Sequence, residues 1–161
     1  MKSFVIITIL SSIAILAFAV MLSFQNTAPS YSENDSNRPN AEILENKYDF
    51  GKITVKDVKE KDFLIKNIGK SDLIINKVVT SCDCAYAYII DAQGEKSPRF
   101  SMGSPSKWQI NISPNESVTL KTIYEPAIMP VSGLVNRTIT VSTNDPLQPK
   151  LDFQLTAEVS K

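Results

Sequence analysis

The chain has 161 residues, 43% of them hydrophobic, with 17 basic and 17 acidic side chains and no histidine. Balanced charge gives no electrostatic reason to bind nucleic acid. Without histidine the usual general base and the commonest metal ligand are missing, so any catalysis would have to run on carboxylates, lysine or cysteine.

Between Phe4 and Phe24 there is no charged residue, and this run of 21 matches the roughly 20 that a helix needs to cross a bilayer. Lys2 precedes the run while Glu33 and Asp35 follow it, which puts the N-terminus in the cytoplasm and the rest outside. Ala17-Phe18-Ala19 resembles a signal-peptide cleavage site, although Val20-Met21-Leu22 carries the apolar run past it. Residues 1–24 are therefore expected to be a signal anchor, with a secreted product if cleavage occurs near Ala19. Either way the body is extracytoplasmic, periplasmic or on the cell surface. Residues 25–46, rich in Ser, Asn and Pro with few apolar side chains, read as a flexible polar stalk.

Residues 47–161 carry the folded body. In order, β-rich runs occupy residues 47–55, 59–67, 73–79, 85–90 and 118–124. Strict alternation marks three more: Trp108, Ile110 and Ile112; Ile139 and Val141; and Leu151, Phe153, Leu155, Ala157 and Val159. Turn chemistry separates them at Asn67-Ile68-Gly69, Pro114-Asn115, Glu125-Pro126 and Asn144-Asp145-Pro146. About eight strands without a sustained helical period predict an all-β fold, either an antiparallel sandwich or a barrel.

Five fragments in order carry a resemblance: Tyr48-Asp49-Phe50-Gly51-Lys52-Ile53, Phe63-Leu64-Ile65-Lys66-Asn67-Ile68-Gly69 with Leu73-Ile74-Ile75, Thr80-Ser81-Cys82-Asp83-Cys84, Ile112-Ser113-Pro114-Asn115-Glu116, and Thr143-Asn144-Asp145-Pro146 with Pro149. Together they resemble the bacterial domain of unknown function 1573 family, whose domains are immunoglobulin-like and akin to the Hydin and major-sperm-protein type. The resemblance implies an exported immunoglobulin-like sandwich of seven or eight strands behind a signal or anchor, and no established activity. Asp83 and Ala85 replace the family's usual glycine and threonine, and Asn115 replaces a usual glycine, which asparagine tolerates where a turn needs positive φ. An insertion from Asp91 to Lys107 also departs from the pattern, and reads as a surface loop that is functional or mobile.

Cys82 and Cys84 are the only cysteines. On a regular strand their Cα atoms would stand about 6.5–7 Å apart, at the limit for a bridge, so a disulfide requires a bend. So short a loop gains little from closure and would be easily reduced, which allows a redox role. Two thiolates could instead hold Cu(I) with Met102 and Met129, or sit as an inert structural pair; no spacing completes a metal site, so no metal or cofactor is expected. Tyr86, Tyr88, Phe100 and Trp108 form a candidate aromatic platform, with Trp108 read as core from its alternation. Glu125 and Asp145 each adjoin a proline, and turn formation explains them better than acid–base pairing.

The functional expectation is a membrane-anchored, non-enzymatic module that contacts another cell-envelope protein through loops or a sheet edge. The alternative is a thiol-disulfide or Cu(I)-handling protein built on Cys82 and Cys84.

Overall fold

The computed structural model describes residues 30–103, 105 and 107–161, so the expected span between Phe4 and Phe24 lies outside the described residues. Among those described, no helix is long and apolar enough to cross a membrane. They form nine strands: β1 (Ala41–Glu42), β2 (Lys47–Thr54), β3 (Lys59–Asn67), β4 (Leu73–Thr80), β5 (Ala85–Ile90), β6 (Ile110–Ile112), β7 (Ser117–Tyr124), β8 (Gly133–Thr143) and β9 (Lys150–Ser160). A 3₁₀ turn, Pro126–Ile128, follows β7.

Two sheets result, ordered β1-β3-β7-β5 and β2-β9-β8-β4-β6, which makes the body a sandwich and not a closed barrel. All pairings are antiparallel except β2 with β9. The alternation of β9 is realised in full: Leu151, Phe153, Leu155, Ala157 and Val159 are all buried, while Asp152 and Glu158 face water. Opposite them stand Phe63 and Ile65 of β3 and Val118 and Leu120 of β7, with the Phe63 and Phe153 rings 5.1 Å apart across the interior. Period-two burial of this kind fixes register, because a one-residue slip would turn each apolar set to solvent.

Three expectations are corrected. The stalk does not extend to residue 46, because β1 pairs with β3 and Ala41 is buried. Asp145 accounts for this: its carboxylate accepts the Ala41 N–H at 3.0 Å and pairs with Arg38 at 3.1 Å, tying the segment to the end of β8. A buried carboxylate requires such partners.

Trp108 does not belong to a strand, since β6 begins at Ile110, yet its ring packs against the core and meets Phe100 edge-on at 4.7 Å. The insertion is no free loop. Lys96 bridges to Ile90 and Phe100 to Ala87, so its first half runs back along β5, and Phe100 is completely buried.

The left-handed turn at Asn115 is present, with φ of 69°. Gly69 meets a different demand. A Cβ there would come within 2.4 Å of the Asn40 backbone nitrogen, so glycine is required for close chain approach.

Candidate functional site

Thr80 ends β4 in one sheet and Ala85 opens β5 in the other, so residues 81–84 cross between the sheets at one end of the sandwich. The bend there brings the Cα atoms of Cys82 and Cys84 to 5.3 Å, and the two are disulfide-bonded. Cys84 is fully buried and Cys82 retains 6% exposure. The turn is held from several sides: the Thr80 hydroxyl donates to the Cys82 carbonyl at 2.7 Å, the Glu125 N–H to the Cys84 carbonyl at 2.8 Å, and the Ala85 N–H points at Cys82 Sγ at 3.1 Å.

Two residues that periodicity alone did not single out complete this end. Arg137 occupies the inward row of β8 between Val135 and Ile139, where a long cation is unexpected, and its guanidinium carbon lies 5.8 Å from the centre of the Tyr124 ring. Tyr124 is 1% exposed. Its hydroxyl and the Nε of Arg137 are both buried without a hydrogen-bond partner among the described residues. Extending the alternation of Ile139 and Val141 back to Val135 would have flagged Arg137 in the sequence.

The aromatic platform does not assemble. Residues 85–90 alternate faces, so Ala85, Ala87 and Ile89 point inward while Tyr86 and Tyr88 point outward, and Phe100 and Trp108 join the core side. On the outer face the inserted segment lays cations on the two tyrosines, Arg99 at 4.0 Å from the Tyr86 ring and Lys96 at 3.5 Å from that of Tyr88. Partial burial, reinforced by the Glu125 carboxylate that accepts the Tyr86 hydroxyl at 3.2 Å, pushes the Tyr86 phenol above its ordinary range. Glu125 and Asp145 are not brought together: Glu125 serves the disulfide end, and Asp145 anchors Arg38 and Ala41.

Met102 donates its backbone N–H to Asp83 at 3.4 Å, and Met129 closes the 3₁₀ turn after β7; both side chains are exposed. Among the described residues no group of three or more histidine, cysteine or carboxylate side chains gathers around a point.

Each sheet has two edges, and they differ. The edge at β1 is two residues long, that at β6 three, and β5 is covered by residues 96–100. The edge at β2 runs for eight residues, exposed over most of its length, and among the described residues pairs only with β9 on its inner side. A bulge between Asp49 and Lys52, with Gly51 at φ 67°, interrupts it. Tyr48 and Phe50 meet edge-on at 5.1 Å, Lys61 lies 4.4 Å from the Tyr48 ring, and a groove of about 310 Å³ is lined by Lys47, Tyr48, Asp49, Gln154 and Thr156.

The family model described as a protein of unknown function (DUF1573) matches residues 41–96, about a third of the chain, from β1 through β5 to the start of the insertion. Over those residues the resemblance is borne out. No curated protein matches the chain. Among solved structures, a protein of unknown function from Porphyromonas gingivalis W83 is 18% identical with a TM-score of 0.57, covering 77% of this chain and 49% of that one. The chain thus spans about half of that protein. A PapD-like domain of human CEP192 is 13% identical with a TM-score of 0.52, covering 85% of this chain and 96% of that domain. At these identities the likeness is one of fold, a two-sheet immunoglobulin-like sandwich.

Proposed function

We propose that this chain is a membrane-tethered, extracytoplasmic interaction module that engages a cell-envelope protein along the open edge of β2, by contact and not by turnover. The observation that carries the reading is the difference between the four sheet edges. Three are closed to a partner strand by brevity or by the inserted segment, whereas no strand among the described residues lies outside the eight-residue β2, where only the Gly51 and Thr54 N–H groups are taken by the nearby Asp49 and Asp57 carboxylates. Unpaired strand groups are a ready template for an added strand, with main-chain hydrogen bonds supplying affinity and alternate side chains supplying selection.

The bulge at Gly51 and the charges of Lys47, Asp49 and Lys52 break the edge into a short segment, which opposes indiscriminate pairing between copies. The apolar run between Phe4 and Phe24 supports tethering, with the body outside the cytoplasm. The test is a photocrosslinking residue placed at Asp49 or Lys52 in the intact protein, in the cells that make it. A discrete protein adduct is expected from these positions and none from Lys77 on β4. Equal adducts from all three would overturn the proposal.

A further inference from the structure

We propose that Cys82 and Cys84 form a redox-active pair that exchanges with an external thiol–disulfide couple, with Cys82 as the exchanging sulfur and Arg137 as the counter-charge for its thiolate. The pair is asymmetric in the way exchange requires. Cys84 is fully enclosed, whereas Cys82 keeps 6% of its surface and the Ala85 N–H, shared with the Cys82 carbonyl at 3.3 Å, reaches Cys82 Sγ at 3.1 Å. A donor aimed at sulfur favours the thiolate, and attack needs access, so both features select Cys82.

Arg137 is brought to the same place by register. Thr80 pairs with Ile139, and Ser81 continues the pairing, its N–H donating to the Thr138 carbonyl at 2.9 Å and its hydroxyl accepting the Thr138 N–H at 3.0 Å. Cys82 and Arg137 are the next residues along these two chains. The guanidinium faces Tyr124, which pairs with Ala85, the residue whose N–H contacts the Cys82 sulfur. One terminal nitrogen of Arg137 donates to the Asn136 carbonyl at 3.2 Å, but its buried Nε–H has no acceptor among the described residues, which is costly, and a thiolate at Cys82 is an acceptor that comes into being only on reduction. Asp83, exposed in the turn, opposes that charge through solvent; Arg99 donates to the Asp83 carbonyl at 3.3 Å, and Glu125 is engaged with Tyr86 on the outer face. A bridge between residues two apart closes almost no chain, so loop-closure entropy gives little reason for its presence.

In the reductive direction an external thiolate attacks Cys82 Sγ, the S–S bond breaks, and the electron pair leaves on Cys84 Sγ, which takes a proton from solvent. A second external thiolate then attacks the external sulfur of the mixed disulfide and releases Cys82 as thiolate. The external thiols end as a disulfide and the pair as dithiol, two electrons having moved; the reverse steps restore the bridge. The couple is a small thiol such as glutathione or a dithiol protein.

The test uses the full chain in detergent, equilibrated across reduced and oxidised glutathione ratios and trapped by alkylation. In parallel, the reduced Cys84→Ser chain is alkylated as a function of pH. The bridge is expected to open within the glutathione range without unfolding, and Cys82 to react with a midpoint about one pH unit or more below the ordinary thiol value of about 8.5. Arg137→Gln should return the midpoint to about 8.5, and Arg137→Lys should keep it low. A bridge that stays closed throughout, or a Cys82 midpoint at or above the ordinary value with Arg137 in place, overturns the proposal. These two readings decide it even where Arg137→Gln does not fold.

Discussion

Phe100 and Ala87 exchange both of their backbone hydrogen bonds, at 2.9 and 3.0 Å, and this single pair converts an insertion into part of the sandwich. Because directly paired residues share a face, Phe100 turns inward beside Ala87 and fills space that alanine leaves, while Arg99 falls on the outer face over Tyr86. The segment thus closes the β5 edge and contributes a core side chain together. Phe100→Ala should therefore destabilise the fold by about 3–5 kcal/mol, from lost transfer and an unfilled cavity. Urea denaturation followed by tryptophan fluorescence would measure it, with Trp108 reporting directly on the ring that Phe100 touches. A loss under about 1 kcal/mol would show that the insertion is peripheral.

At the opposite end of the sandwich, Gly69 lies against the backbone of Arg38 and Asn40. A methyl group there meets main chain, which cannot swing aside as a flexible side chain would. Gly69→Ala is expected to cost about 1–3 kcal/mol, as overpacking does. The β1 amides should lose hydrogen-exchange protection before those of β9. Unchanged stability would mean that residues 38–41 are not docked as described.

Asp145 holds the same segment through charge, accepting from the Ala41 and Leu147 N–H groups and pairing with Arg38. Replacing it with alanine leaves these donors without an acceptor, at a cost of about 3–5 kcal/mol. Arg38→Ala should cost less, because the buried Asp145 carboxylate keeps the Ala41 and Leu147 N–H donors. In the double variant the two losses should not add, since the partners share one interaction. Strict additivity in thermal melts would contradict the pairing.

Alkaline behaviour follows from Tyr86. Burial and Glu125 raise its phenol above the ordinary value of 10.0, so the folded chain holds the proton more tightly than the unfolded one. That contribution is fully present below the unfolded value and is lost as pH rises through the folded one. Urea midpoints between pH 8 and 11 should consequently fall more steeply for the native chain than for Tyr86→Phe. Parallel curves would remove Tyr86 from the alkaline transition.

Where burial follows period two, the sequence was legible: alternation marked β9, and β-rich composition between turn residues marked β3 and β5, because each buries one face against a single apolar layer. Asn115 too was readable, since its turn chemistry carries its own φ requirement. Legibility failed where structure depends on contacts distant in sequence. Two-residue β1 has no period to detect and exists through Asn67 and Asp145, whose side chains accept the Asn40 and Ala41 N–H groups. Phe100 stands among Pro, Arg, Ser and Met with no local sign that it pairs with Ala87. The cysteine pair was visible at once, but Arg137 and Tyr124 belong to it only through the register of β4 with β8 and of β5 with β7.

The proposed interaction requires that a partner occupy the edge of β2. Hydrogen exchange read by mass spectrometry on peptides covering Lys47–Thr54, comparing the protein in an extract of the cells that make it with the purified full chain, tests this most directly. In the extract, the β2 amides that face away from β9 should be protected at least tenfold more than in the purified chain, while the amides of β4 stay unchanged. Identical β2 exchange in the two preparations would contradict strand addition at this edge.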